Sequence, residues 1–222
     1  IVFKRKETPA VCRNTGAGVF FINRLKSKWE GKRIADETAK ENLLRQIREY
    51  RPYNEQEERD RAILLKWMES GCDILTRENE TAHLTASAWV VSPDRKQVLM
   101  AYHNIYHSWA WLGGHADGDA DLCSVAVREV KEESGIEEVK LLSDQPFRLE
   151  ILSVDGHVKR GKYVTTHLHL NVTYLMEADP VQEIRCKPDE TAQSAGFRWS
   201  RSQKNRQSHG LWSVCMASCV RK

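Results

Sequence analysis

Residues 113–136 read GGHADGDADLCSVAVREVKEESGI and contain a helix whose apolar stripe turns into carboxylates. At about 100° per residue, Leu122, Val125 and Ala126 share one face, and the next two turns of that face present Glu129, Glu132 and Glu133. Solvated acids belong opposite an apolar stripe, whereas these extend it toward whatever the helix packs against. Carboxylates three and four residues apart repel by a few tenths of a kcal/mol per pair, and burying them unpaired would cost more. The fold must therefore bring positive charge to this face. Arg128, four residues before Glu132, can neutralise one acid, and a divalent cation can neutralise the rest.

Oxygen donors with no neighbouring thiolate favour Mg²⁺ or Mn²⁺ over zinc. Mg²⁺ takes few carboxylates and keeps water and substrate phosphate as its other ligands, which points to phosphoryl or pyrophosphate chemistry. The glycines ahead of the helix allow backbone to approach an ion or a phosphate closely, and the helix N-terminus lies just beyond them.

Elsewhere the periodicity predicts two helices followed by strands. DETAKENLLRQIREY carries Leu43, Leu44, Ile47 and Tyr50 at helical spacing and stops at Pro52. NEQEERDRAILLKWMES is a second helix, capped by Asn54 and ended near Gly71. HLTASAWVV and QVLMAYH read as strands parted by the turn SPDRK, and WAWLGG as one short strand. FRLEILSVD and YVTTHLHLNVTYLM follow the acidic helix as strands, separated by GHVKRGK. The order implies an α+β fold with a mixed sheet.

No apolar run is long enough to span a membrane, and IVFKRKETPA lacks a signal-peptide pattern, so the expectation is a soluble, cytoplasmic protein. The six cysteines are scattered without a Cys-x-x-Cys pair, which indicates neither a zinc cluster nor a disulfide framework. The formal charge of +3 conceals an asymmetry. Residues 1–36 carry nine Lys/Arg against three Asp/Glu, residues 191–222 carry six Lys/Arg and no acid, and the body between them is acidic.

The stretch 113–136 resembles the box of the Nudix hydrolases: Gly, five residues, Glu, seven residues, then Arg-Glu-aliphatic-x-Glu-Glu-x-Gly-aliphatic. Gly114, Arg128, Glu129, Val130, Glu132, Glu133, Gly135 and Ile136 fall in register, and Ala120 stands where the family has its first glutamate. Asp119 or Asp121 could substitute from next door, although Asp121 also suits the helix N-cap. WAWLGGHADGD and YVTTHLHLNVTYLMEAD resemble a bacterial subgroup of the family, a similarity that runs from roughly residue 42 to 199. The resemblance implies the α/β/α Nudix sandwich, a mixed sheet between helices with two extra helices before it. It divides the chain into an irregular basic segment 1–36, a Nudix domain 37–200 and a basic tail 201–222.

The resemblance also implies hydrolysis of a diphosphate linkage in a nucleoside diphosphate joined to another group, by attack of water on phosphorus. Glu129, Glu132, Glu133 and the Gly114 carbonyl would hold Mg²⁺ or Mn²⁺, and Arg128 would hold the carboxylates in place. The catalytic set is Glu132, Glu129 and Arg128, with Glu190 as an extra ligand or base. His115, Trp109, Arg160, Lys162, His167 and His169 are the candidates for binding substrate. His167 and His169 share a strand face, which fits a His-x-His metal site as well as a pocket wall, and the pocket wall is the expectation beside the stronger carboxylate set. A homodimer is in keeping with the family.

Two other readings follow from specific features. The basic tails suit nucleic acid, but no RNA- or DNA-binding motif accompanies them. Ala120 suits a nucleotide-binding sensor of the same fold with weak catalysis. A related diphosphate isomerase would need a cysteine and acid pair that has no evident counterpart here. The tail after Trp199 loses helical periodicity where the family has a closing helix, and a shifted reading frame restores one. A frameshift after Glu190, and another before residue 37, is a hypothesis that the coding DNA tests.

Overall fold

A computed structural model describes residues 34–103, 108–159, 161–185 and 194–201. The chain divides into two units, Ile1–Thr38 and Ala39–Lys222, and the fold below is that of the second.

A helix over 34–49, α1, is followed by α2 (Glu55–Glu69). Asn54 caps α2, its side chain accepting from the Glu57 backbone N–H. Next come β1 (Ala82–Val91), β2 (Gln97–His103), β3 (Ser108–Ala110) and β4 (Leu112–His115). After α3 (Leu122–Ser134) come β5 (Lys140–Leu141), β6 (Arg148–Val154), β7 (His157–Lys159), β8 (Lys162–Val164), β9 (His167–Glu177) and β10 (Ser194–Arg201). The class is α+β, and the sheet is mixed. β1 pairs parallel with β9 and antiparallel with β2 and β4, and the main strand order is β10-β2-β1-β9-β5.

Two expected strands are each broken in two. WAWLGG becomes β3 and β4, because the chain leaves β2 and joins β1 at Trp111. YVTTHLHLNVTYLM becomes β8 and β9, with β8 paired to β7 in a separate hairpin and β9 paired to β1 and β6. Where a strand changes partner its ladder ends, although the apolar alternation runs on.

Alternation along β1 and β9 gives the sheet two unlike faces. Leu84, Ala86 and Ala88 with Leu170, Val172 and Tyr174 form one apolar core with Leu43 and Ile47 of α1, Leu64 of α2, and Leu122, Val125, Ala126 and Val130 of α3. The opposite face is polar at one end. Thr85 and Ser87 hydroxyls donate to Asn171 Oδ1 at 2.9 and 2.7 Å, and Asn171 Nδ2 donates to Thr173 Oγ1 at 3.1 Å. Further along that face, Trp89, Val91, Val98 and Met100 make a smaller apolar cluster.

The N-terminus of α2 is fastened to β6 by buried charge. Arg148 Nη1 lies 3.2 Å from Glu57 Oε1 and 3.8 Å from Glu150 Oε1. Tyr50 Oη and the Tyr53 N–H each donate to Glu57 Oε2 at 2.7 Å. Burial raises the Tyr50 phenol above its ordinary range and also pushes the Glu150 carboxyl up.

Candidate active site

The acidic helix forms where the periodicity places it. Asp121 Oδ1 accepts from the Ser124 N–H at 3.1 Å and Oδ2 accepts from the Ser124 hydroxyl at 2.7 Å, which starts α3. Gly135, with φ of 72°, ends it in the left-handed cap, where a side chain would be strained and would meet Arg185. Between these ends Leu122, Val125, Ala126 and Val130 are buried, while Glu129, Glu132 and Glu133 are half-buried.

Two of the three acids reach the double glycine of β4. A Cβ built on Gly114 would lie 2.5 Å from both Cδ and Oε2 of Glu129, so the carboxylate occupies space that only glycine leaves. Glu133 Oε2 accepts from the Gly113 N–H at 3.3 Å. Glu132 lines the neighbouring flank of α3, where it shares a hollow of about 520 Å³ with Arg128, Cys123 and Val127. Burial raises the Cys123 thiol to about 11, which leaves it un-ionised at neutral pH.

Arg128 pairs with Asp119, Nη1 to Oδ2 at 3.5 Å, rather than with Glu132. Long helical side chains lean toward the preceding turn, and Arg128 follows that lean back to the loop ahead of α3. Asp119 also accepts from the Asp121 N–H through Oδ1, at 3.0 Å. Both acids flanking Ala120 are thus engaged in building the junction of loop and helix. Ala120 itself is buried in the core.

Gly114 and His115 turn to opposite faces of the sheet. Gly114 pairs with Ala86, whose side chain lies in the core with α3, and His115 pairs with Thr85 on the polar face. On that polar face the register sets His83 directly beside His169. The rings of His83, His115, His167 and His169 lie with centroids 5.0 to 5.1 Å apart in their close pairs. Burial holds His115 and His169 down to about 3, which leaves those two imidazoles neutral near pH 7, and lowers His83 as well. Positive charge from Arg77 and Lys159 contributes to the depression.

His115, His167 and His169 are therefore gathered at one place, together with His83, which is absent from the expected set, and Lys159 of the β7–β8 hairpin is near enough for its charge to act on His115 and His169. The signal for His83 was the shared His-Leu opening of HLTASAWVV and HLHLNV, which means something only once those strands are paired in parallel. Trp109 packs its ring 5.4 Å from that of Tyr102 on the neighbouring strand β2. Lys162 is exposed on the β7–β8 hairpin, opposite Lys159. Glu190 and Arg160 lie outside the described residues, as does the tail after Arg201.

The model of the NUDIX domain matches residues 81–212, more than half of the chain. The chain belongs to the Nudix family. No curated protein matches it. Among solved structures it is similar to a C. elegans Ap4A hydrolase in a binary complex, at 16% identity over 62% of this chain and 94% of that one, with a TM-score of 0.44. It is also similar to a NUDIX-family hydrolase from Clostridium perfringens, at 19% identity over 61% and 91% with a TM-score of 0.40. A MutT NUDIX hydrolase from Burkholderia pseudomallei matches at 18% identity over 61% and 95%, with a TM-score of 0.39. Family membership makes the protein a Nudix-type pyrophosphohydrolase, in a family whose hydrolases generally use divalent metal ions. Among the described residues, no helix is long and apolar enough to cross a membrane.

Proposed function

We propose that this Nudix protein hydrolyses a diphosphate linkage in a nucleoside diphosphate joined to another group, by attack of water on phosphorus, with Mg²⁺ or Mn²⁺ as its ion. The observation that carries the reading is the convergence of Glu129 and Glu133 on the side-chain-free backbone of Gly113 and Gly114. Crowding carboxylates on one helix face costs repulsion, which a divalent cation offsets, and an all-oxygen donor set suits a hard one.

In this reading Glu129, Glu132, Glu133 and the Gly114 carbonyl hold the ion. The chemistry such an ion supplies is a lowered pKa for coordinated water and an offset for charge on the phosphoryl oxygens. Arg128 acts through Asp119, holding the loop ahead of α3 against the helix. Glu129, Glu132 or Glu190 takes the proton from water. His115, His167 and His169, with Trp109, Arg160 and Lys162, contact the substrate away from the cleaved linkage.

The test is release of phosphate or nucleotide from a panel that begins with ADP-ribose and nucleoside diphosphate sugars, with Mg²⁺, for the wild type and Glu133→Gln. Mg²⁺-dependent turnover that disappears in the variant is the expected result. If nucleotide binds with Mg²⁺ and no compound turns over, the reading gives way to a nucleotide-binding sensor. The observation favouring that second reading is Ala120 at the family's first glutamate.

A further inference from the structure

The histidine cluster on the polar face has a donor set unlike that of the acidic helix. His83 is buried, and its Nδ1 lies 3.1 Å from the Asn79 carbonyl oxygen. A carbonyl only accepts, so in the neutral ring Nδ1 carries the hydrogen and Nε2 keeps its lone pair. That Nε2 is buried and has no hydrogen-bond partner. One ring nitrogen from each of His83, His115 and His169 lies within 4.8 Å of the others. His167 repeats the pattern of His83. Its Nδ1 lies 2.8 Å from the Thr165 carbonyl and its Nε2 lies 3.2 Å from His169 Nε2. In the tautomers that give His167 Nδ1–H to the carbonyl and one hydrogen to the Nε2 pair, that hydrogen belongs to His169, which leaves its Nδ1 unprotonated.

We propose that His83, His115 and His169 form a second metal site, separate from the acidic one, for a borderline divalent transition ion of the zinc type, with His167 as the residue that positions the His169 ring. Imidazole nitrogen suits zinc, cobalt, nickel or copper, whereas Mg²⁺ prefers oxygen. Nitrogens bound at 2.0 to 2.1 Å in a tetrahedron stand about 3.4 Å apart, so small rotations of the three rings close the site. The backbone carbonyl behind His83 is the usual support for a ligating histidine, fixing its tautomer and direction. Three histidines leave a fourth position open to water or an anion. Arg77 is already paired with Asp117, Nε to Oδ1 at 2.8 Å, so its charge is partly offset. Lys159 favours an anionic occupant of the fourth position.

The site rests on side-chain geometry and is independent of the hydrolase reading. The experiment uses the full chain, stripped by a chelator and titrated with Co²⁺ and then Zn²⁺ in excess Mg²⁺. The expected Co²⁺ spectrum is the intense visible absorption of a tetrahedral nitrogen-rich site, lost as Zn²⁺ displaces the cobalt. Glu133→Gln should show the same tetrahedral Co²⁺ absorption, displaced by the same Zn²⁺, as the wild type, and His169→Gln should need at least about 100-fold more of each ion to do so. His167→Gln should weaken binding less and shift the absorption bands, the signature of a turned ligand. Weak octahedral cobalt absorption in the wild type overturns the proposal without any variant, as does zinc affinity that falls in Glu133→Gln and not in His169→Gln.

Discussion

Replacing Gly114 by alanine separates the chemistry of this site from the stability of the fold. The added methyl would lie 2.5 Å from Cδ and Oε2 of Glu129 and 2.8 Å from Oε1. Non-bonded carbon contacts relax at about 3.5 Å, so the carboxylate has to retreat by roughly 1 Å. It sits at the end of a half-buried side chain that can rotate, which limits the cost in folding free energy to under about 1 kcal/mol. A displacement of that size in a reacting group can cost about 100-fold in rate. Gly113→Ala is the control with the opposite balance. Its methyl would lie 2.5 Å from the Ala86 carbonyl oxygen and 2.8 Å from Ser87 Cα, both backbone of β1. Opening the β1–β4 ladder to admit it should cost about 1–3 kcal/mol, or a few degrees to about 10 °C in Tm for a domain of this size. Thermal unfolding and Mg²⁺-dependent turnover, measured on both variants, give the comparison. Full activity in Gly114→Ala, or a loss of Tm equal to that of Gly113→Ala, would refute the placement of Glu129.

Asp121→Ala should lower stability by about 1 kcal/mol, the usual worth of an N-cap. Its turnover with Mg²⁺ should stay within a few fold of wild type; a loss as large as that of Glu133→Gln would make Asp121 the replacement for the missing glutamate. Arg148→Ala leaves Glu57 and Glu150 buried without their cation, and denaturant unfolding should show a loss of about 3–5 kcal/mol. Glu150→Gln tests the raised carboxyl pKa. A folded pKa above the unfolded value of 4.5 means stability is fully present below 4.5 and falls as pH rises through the folded value. The variant should therefore match wild type at pH 4 and exceed it at pH 8. An equal difference at both pH values would contradict the assignment.

The acidic helix was legible in the sequence because every relation in it is local. Spacings of three and four on one helix fix which side chains neighbour which, and the caps at Asn54, Asp121 and Gly135 act over four residues or fewer. The partner of Arg128 follows from a further local rule. Spacing brings it to Glu132, and the lean of helical side chains brings it to a loop acid instead. Breaks within apolar runs left no local mark, since Trp111 and the Thr165–Thr166 pair end ladders only through a change of partner strand.

The histidine cluster depends on register across 86 residues of chain, from His83 to His169, and neither strand carries that information alone. What sets the register is the other face. Leu84, Ala86 and Ala88 must meet Leu170, Val172 and Tyr174 over the core, and a slip of one residue would bury the histidines in that core while exposing the apolar set. Apolar packing thus decides that His83 stands beside His169. The antiparallel ladder of β4, held by close contact of Gly113 with β1, then brings His115 to the same end of the sheet. The same short strand turns Gly114 toward α3 and its carboxylates. One pair of adjacent residues, Gly114 and His115, therefore couples an oxygen-lined site on one face to a nitrogen-lined site on the other. A distortion of β4 must disturb both, whereas a change of side chain at Glu133 should leave the histidine rings in place.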